Sequence, residues 1–120
     1  MPSRSRRPRD FLPLASLDLQ VLILLAGREL HGYGIVRAAA ELFPDQPALE
    51  IGSLYRIISR LLDEGMIREV SGPSVEPADR RVRRYYTVTP LGRRVARAEA
   101  ERMRALLASP GMLRLLGADR

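Results

Sequence analysis

The chain has no cysteine, no tryptophan and no lysine, and only one histidine among its 120 residues. Without cysteine there is no disulfide framework and no thiolate metal site, and His31 alone does not assemble a histidine-based zinc centre. No cofactor or metal is expected. Catalysis is poorly served too: a nucleophile needs a base beside it, and the acids are scattered over positions that read as solvent-facing. The sequence is therefore not read as an enzyme. Long apolar runs are also scarce. Leu19–Gly27, unbroken by charge, falls far short of the ~20 residues a membrane span requires. Asp18 and the want of a small-x-small cleavage site argue against a signal peptide, so a cytoplasmic protein is expected.

Against these absences stand 46% apolar residues, enough for one modest core, and an unbalanced charge. All 20 basic residues are Arg, against 14 acids, for a net charge of +6. A surplus of that size points to a polyanionic partner, while the exclusive use of Arg fits a coding bias. The surplus is clustered. Arg4, Arg6, Arg7 and Arg9 crowd the start, Arg80, Arg81, Arg83 and Arg84 form a second group, and Arg93 to Arg104 a third. Residues 28–64 hold four Arg and six acids and are slightly acidic.

Periodicity divides the rest. From Ser16 to Ala26 the pattern is helical, with Gly27 as a stop, but apolar on both sides. Leu17, Val21, Leu24 and Leu25 fall on one side, and Leu19, Leu22 and Ile23 on the other. One side is expected to face the core and the other a partner. A second helix is predicted over 32–43, with Ile35, Val36, Ala39, Leu42 and Phe43 on one face and Pro44 ending it. A third runs over 51–64: Leu54, Ile57, Ile58, Leu61 and Leu62 make its apolar face, and Gly65 closes it. Its outward face centres on Arg56, with Gly52, Ser53, Tyr55, Ser59 and Arg60 around it. Small, polar and rich in hydrogen-bonding groups, such a face suits a helix laid in a DNA major groove, though an ordinary solvated face is similar.

The period then changes to two. Residues 66–70 and 83–88 read as strands, joined by a loop with Gly72, Pro73 and Pro77 that ends in Arg80-Arg81. Tyr86 shares a face with Val88 and is assigned to the core, whereas Tyr85 stays open. Thr89-Pro90 starts a last helix that continues to about Ala108. Its apolar arc is again broad, taking in Leu91, Val95, Met103, Leu106 and Leu107. Ser109-Pro110-Gly111 breaks it, leaving 112–116 for a single further turn. The surplus apolar surface of the first and last helices is most economically covered by a two-fold homodimer seam of Leu19, Leu22, Ile23, Met103, Leu106 and Leu107.

Three helices, two strands with a basic loop and a closing helix are the order of a winged helix-turn-helix, a mainly α (α+β) fold with a two-stranded wing. Residues 1–13 are expected to be an unordered basic tail, 14–89 the winged helix-turn-helix, and 90–120 a dimerisation helix and tail. DNA contacts are expected from Gly52, Ser53, Tyr55, Arg56, Ser59 and Arg60 on the third helix and from Arg80, Arg81 and Arg83 in the wing. His31 reads as a cap or packing residue, and Gly32 and Gly34 as allowing close approach. A winged helix that docks a protein or an RNA is the alternative; a protein-docking module would not need the polar helix face together with the basic wing.

The motifs also carry a resemblance. His31-Gly32-Tyr33-Gly34-Ile35, then Gly52-Ser53-Leu54-Tyr55-Arg56 with Arg60-Leu61 and Glu64-Gly65-Met66-Ile67, then Arg83-Arg84-Tyr85-Tyr86 with Thr87, Thr89 and Gly92-Arg93, resemble the PadR family of bacterial transcriptional regulators. The likeness covers about residues 14–107. It implies a cytoplasmic, dimeric, DNA-binding winged helix, usually a repressor and sometimes relieved by a small apolar or phenolic effector. The single closing helix resembles the family's short-tailed branch. The absence of Trp departs from members that hold flat aromatic effectors with one.

Overall fold

The structure is a computed structural model that describes residues 7–71 and 84–117. Among the described residues, five α-helices and a small antiparallel sheet follow in the order α1 (Ser16–Gly27), β1 (Leu30–His31), α2 (Gly32–Leu42), α3 (Ile51–Asp63), β2 (Ile67–Val70), β3 (Tyr85–Val88), α4 (Pro90–Leu107) and α5 (Pro110–Gly117). The sheet order is β1-β3-β2, with Leu30 opposite Tyr86 and Ile67 opposite Val88. The architecture is that of a winged helix.

Helix α1 is the hub. It packs against α2, α3, α4 and β3, and Val21, Leu22, Leu24 and Leu25 are all buried. This corrects the reading of Leu22 as a partner-facing residue: four neighbours from its own chain wrap α1, so an outward side on a helical wheel is still inside the protomer. Leu19 is half-buried and Ile23 exposed. Helices α2 and α3 close the core through Ile35, Ala38, Ala39, Leu54, Ile57, Ile58 and Leu61. Leu42, grouped with the apolar face of α2, is instead exposed at the helix end.

The local signals explain the boundaries. His31 caps α2, its Nδ1 accepting the Gly34 N–H at 3.1 Å. Gly65 takes φ +76 to end α3, a conformation costly for any residue with a Cβ. Thr89 works in two directions: Oγ1 accepts the Gly92 N–H at 3.0 Å, capping α4, and donates to Gly65 O at 2.6 Å, tying the end of α3 to the start of α4. Tyr86 and Val88 lie in the core.

Three further features depart from the sequence reading. Strand β1 adds a third strand to the expected pair. Residues 7–13, expected to belong to an unordered tail, are instead ordered: Pro8–Phe11 form a turn of 3-10 helix that packs on α4. Phe11, Leu12 and Leu14 lie against the core there, which supplies the burial a polar tail lacks. Finally, α5 makes two turns rather than one, started by Ser109, whose Oγ accepts the Met112 N–H at 3.3 Å.

Candidate nucleic-acid interface

Burial of Leu54, Ile57, Ile58 and Leu61 fixes the rotation of α3, which decides what it presents outward. Gly52, Tyr55, Arg56 and Ser59 are exposed and Ser53 is half-buried beside them. Arg56 Nη2 reaches Ser53 Oγ at 3.5 Å, a long contact that a better acceptor readily displaces. Tyr55 leans toward the start of α2: a Cβ built on Gly32 would sit 3.0 Å from the Tyr55 hydroxyl. The glycine thus leaves that hydroxyl its place at the start of α2, while Tyr55 as a whole stays half exposed.

Arg60 departs from the expected arrangement. Its guanidinium turns back to α1, with Nη2 donating to Asp18 Oδ1 at 2.6 Å and Nε to Asp18 Oδ2 at 3.2 Å. The hydrogen bond to Asp18 and then the carboxylate's charge hold Arg60 more firmly protonated. Asp18 itself is buried, so the pair supplies the counter-charge that a carboxylate in a core requires. Sequence reading missed Asp18: an acid in the first turn of a helix ordinarily complements the macrodipole from the surface, and only its place between Leu17 and Leu19 hinted at burial.

The wing residues Arg80, Arg81 and Arg83 lie outside the described residues. The strands flanking them are described, and the end of β2 is paired with the start of β3, Val70 with Tyr85. His31 and Tyr85 meet edge to face, ring centroids 5.1 Å apart, where α2 begins.

On another face, α1 and α4 flank an open groove of about 580 Å³ lined by Leu19, Ile23, Ala96, Ala100, Met103 and Leu107. Four of the six residues expected in a dimer seam meet here. Leu106 does not line the groove; it is exposed, as are Leu113, Leu115 and Leu116 of α5. Among the described residues no cluster of His, Asp and Glu fits a metal ion, and no helix is long and apolar enough to cross a membrane.

Comparison with known proteins adds a family and a fold. The model of the transcriptional regulator PadR-like family matches residues 21–98. No curated protein matches the chain. Among solved structures, a PadR family transcriptional regulator from Eggerthella lenta is 25% identical with a TM-score of 0.66, covering 88% of this chain and 83% of its own. One from Clostridium difficile is 20% identical with a TM-score of 0.65, over 77% of this chain and 91% of its own. Bacillus subtilis PadR, solved in complex with operator DNA, is 24% identical with a TM-score of 0.61, over 70% of this chain. The match spans 47% of that longer protein.

Proposed function

The chain belongs to the PadR-like family of transcriptional regulators, and from that premise we propose that it is a homodimeric repressor whose two α3 helices read an inverted repeat in duplex DNA. The observation that carries the reading is the outward face of α3, where Gly52, Ser53, Arg56 and Ser59 present small groups and hydrogen-bond donors on a helix locked from behind. Arg56 supplies the base contact, since a guanidinium matches the paired acceptors of guanine in the major groove. Tyr55 reaches a phosphate, and Arg80, Arg81 and Arg83 add backbone contacts from the wing. The α1–α4 groove is the assembly surface: in the protomer its apolar lining is open to water, and a second copy buries it. A small apolar effector that enters this seam relieves repression by competing for the same lining.

The test is selection of bound fragments from a random duplex pool, followed by footprinting. The expected result is a protected dyad with half-site centres about one helical turn, or a multiple, apart. No dyad overturns the repressor reading. Arg56→Ala is expected to weaken the selected site by about 1–3 kcal/mol and random duplex much less; equal loss on both makes Arg56 a phosphate contact.

A further inference from the structure

Arg60 and Asp18 make one forked contact between the helix that faces DNA and the helix that lines the assembly groove. They stand forty-two residues apart in the chain. Both guanidinium bonds fall on one carboxylate, at 2.6 and 3.2 Å, which fixes direction as well as distance. The carboxylate side is rigidly held: the Asp18 side chain is 8% exposed on a helix whose neighbours Val21 and Leu22 are fully buried. The guanidinium side is 48% exposed and lies one turn along α3 from Arg56. Burial of Leu54, Ile57, Ile58 and Leu61 sets which face of α3 looks outward; because apolar burial is itself non-directional, the bidentate ion pair on the flank of α3 adds a directional tie that fixes the helix's angle against α1. Asp18 and Leu19 are adjacent, so α3 is referenced to the same helix that contributes Leu19 and Ile23 to the groove.

We propose that Arg60 is a positioning residue that acts through Asp18 to set the angle of α3, and that it is not itself a DNA contact. This rests on the reading of α3 as the DNA-facing helix. The two roles for Arg60 differ in the sign of what Asp18 does. As a DNA contact, Arg60 is held back by Asp18, and neutralising the carboxylate frees it to bind more tightly. As a positioning residue it needs Asp18, and neutralising the carboxylate loosens α3 and weakens specific binding.

The experiment uses the full chain, a duplex that the wild-type protein selects from a random pool, and a random-sequence duplex of equal length. Asp18→Asn, Arg60→Gln, their combination and Arg60→Lys are compared at a temperature well below the lowest of their unfolding midpoints. The expected result for Asp18→Asn and for Arg60→Gln is a roughly tenfold loss on the selected duplex, the double variant losing no more than either single one. Binding to the random duplex and the slope of log affinity against log salt stay near wild type. Arg60→Lys keeps the charge but not the fork, and is expected to lose affinity as Arg60→Gln does. Unchanged or tighter binding by Asp18→Asn overturns the proposal, as does a salt slope reduced by about one unit in Arg60→Gln, the mark of a lost phosphate contact. Retained affinity in Arg60→Lys overturns it as well, and that variant keeps the test open should Asp18→Asn fold poorly. A wild-type chain that selects no duplex at all overturns the DNA reading together with this inference; selection with Asp18→Asn unaffected overturns the inference alone.

Discussion

The backbone N–H of Leu14 donates to Glu99 Oε2 at 2.9 Å, joining the N-terminal segment to the middle of α4 across 85 positions of sequence. Glu99 is 2% exposed, and Arg102 Nη2 donates to the same oxygen at 3.2 Å. A buried carboxylate is thereby given partners, and the turn at Pro8–Phe11 an anchor.

That relationship makes stability depend on pH. The hydrogen bond from Arg102 pulls the Glu99 carboxyl below its ordinary range; burial opposes this, and the Leu14 N–H adds to it. The folded value is lowered, so between it and the unfolded value of ~4.3 the unfolded chain binds the extra proton. The stabilisation is complete above that unfolded value and is lost as pH falls through the lowered folded one. Glu99→Gln is expected to cost about 1–2 kcal/mol at pH 7, and its urea midpoint to converge on that of wild type as the solution is acidified. A gap that stays constant with pH sinks the assignment.

Two glycines make opposite predictions. A Cβ on Gly92 would lie 2.0 Å from Met66 O and 2.7 Å from Val88 Cγ2, where the start of α4 crosses the sheet, and backbone cannot move aside as a side chain can. Gly92→Ala is expected to destabilise by about 3 kcal/mol. A Cβ on Gly52 meets nothing within 4 Å. Gly52→Ala is expected to stabilise by up to about 0.5 kcal/mol through helix propensity, yet to weaken DNA binding if the duplex backs closely onto α3. Thermal unfolding and binding measured on both variants separate the two effects. Loss of binding without a change in stability in Gly92→Ala contradicts this account.

The contrast between what the sequence disclosed and what it hid follows from how each residue is held. Helices α2 and α3 were legible because one apolar stripe faces one core, while Gly65 marks the end of α3 and Thr89-Pro90 the start of α4 by backbone chemistry that few other residues provide. Helix α1 misled because it is apolar all round. A wheel cannot say whether Leu22 meets its own chain or another, and only the packing of α2, α3, α4 and β3 decides. Strand β1 is two residues long and has no period to detect. The pairings of Asp18 with Arg60 and of Glu99 with Leu14 and Arg102 were hidden because the partners are distant in sequence or, like Arg102, look like ordinary surface charge.

The wing enters through salt. If Arg80 and Arg81 sit on phosphates, each contact removes condensed counterions from the duplex. Replacing both with Ala is expected to flatten the log–log salt dependence of affinity by about two units, selected and random duplexes being affected alike. Titrations at four or five salt concentrations measure the slope. An unchanged slope places the wing away from DNA.

The assembly surface is tested by two leucines that the helical wheel treated as equals. Leu107 is 53% exposed and lines the groove, so replacing it leaves the protomer's core intact. Leu107→Glu would bury a carboxylate in this mostly apolar seam, where Arg104 is the one cation among the lining residues, at a cost of about 2 kcal/mol or more, which corresponds to a dimer dissociation constant raised at least about thirtyfold. Sedimentation equilibrium is expected to report a folded monomer with an unchanged helical circular dichroism spectrum. Leu22→Ala is expected to do the reverse. Leu22 is 0% exposed inside the protomer, and its truncation leaves a cavity that costs about 2–5 kcal/mol of folding stability with no direct effect on the seam. A Leu107→Glu protein that still sediments as a dimer, or a Leu22→Ala protein that dissociates without losing stability, would move the interface off the α1–α4 groove.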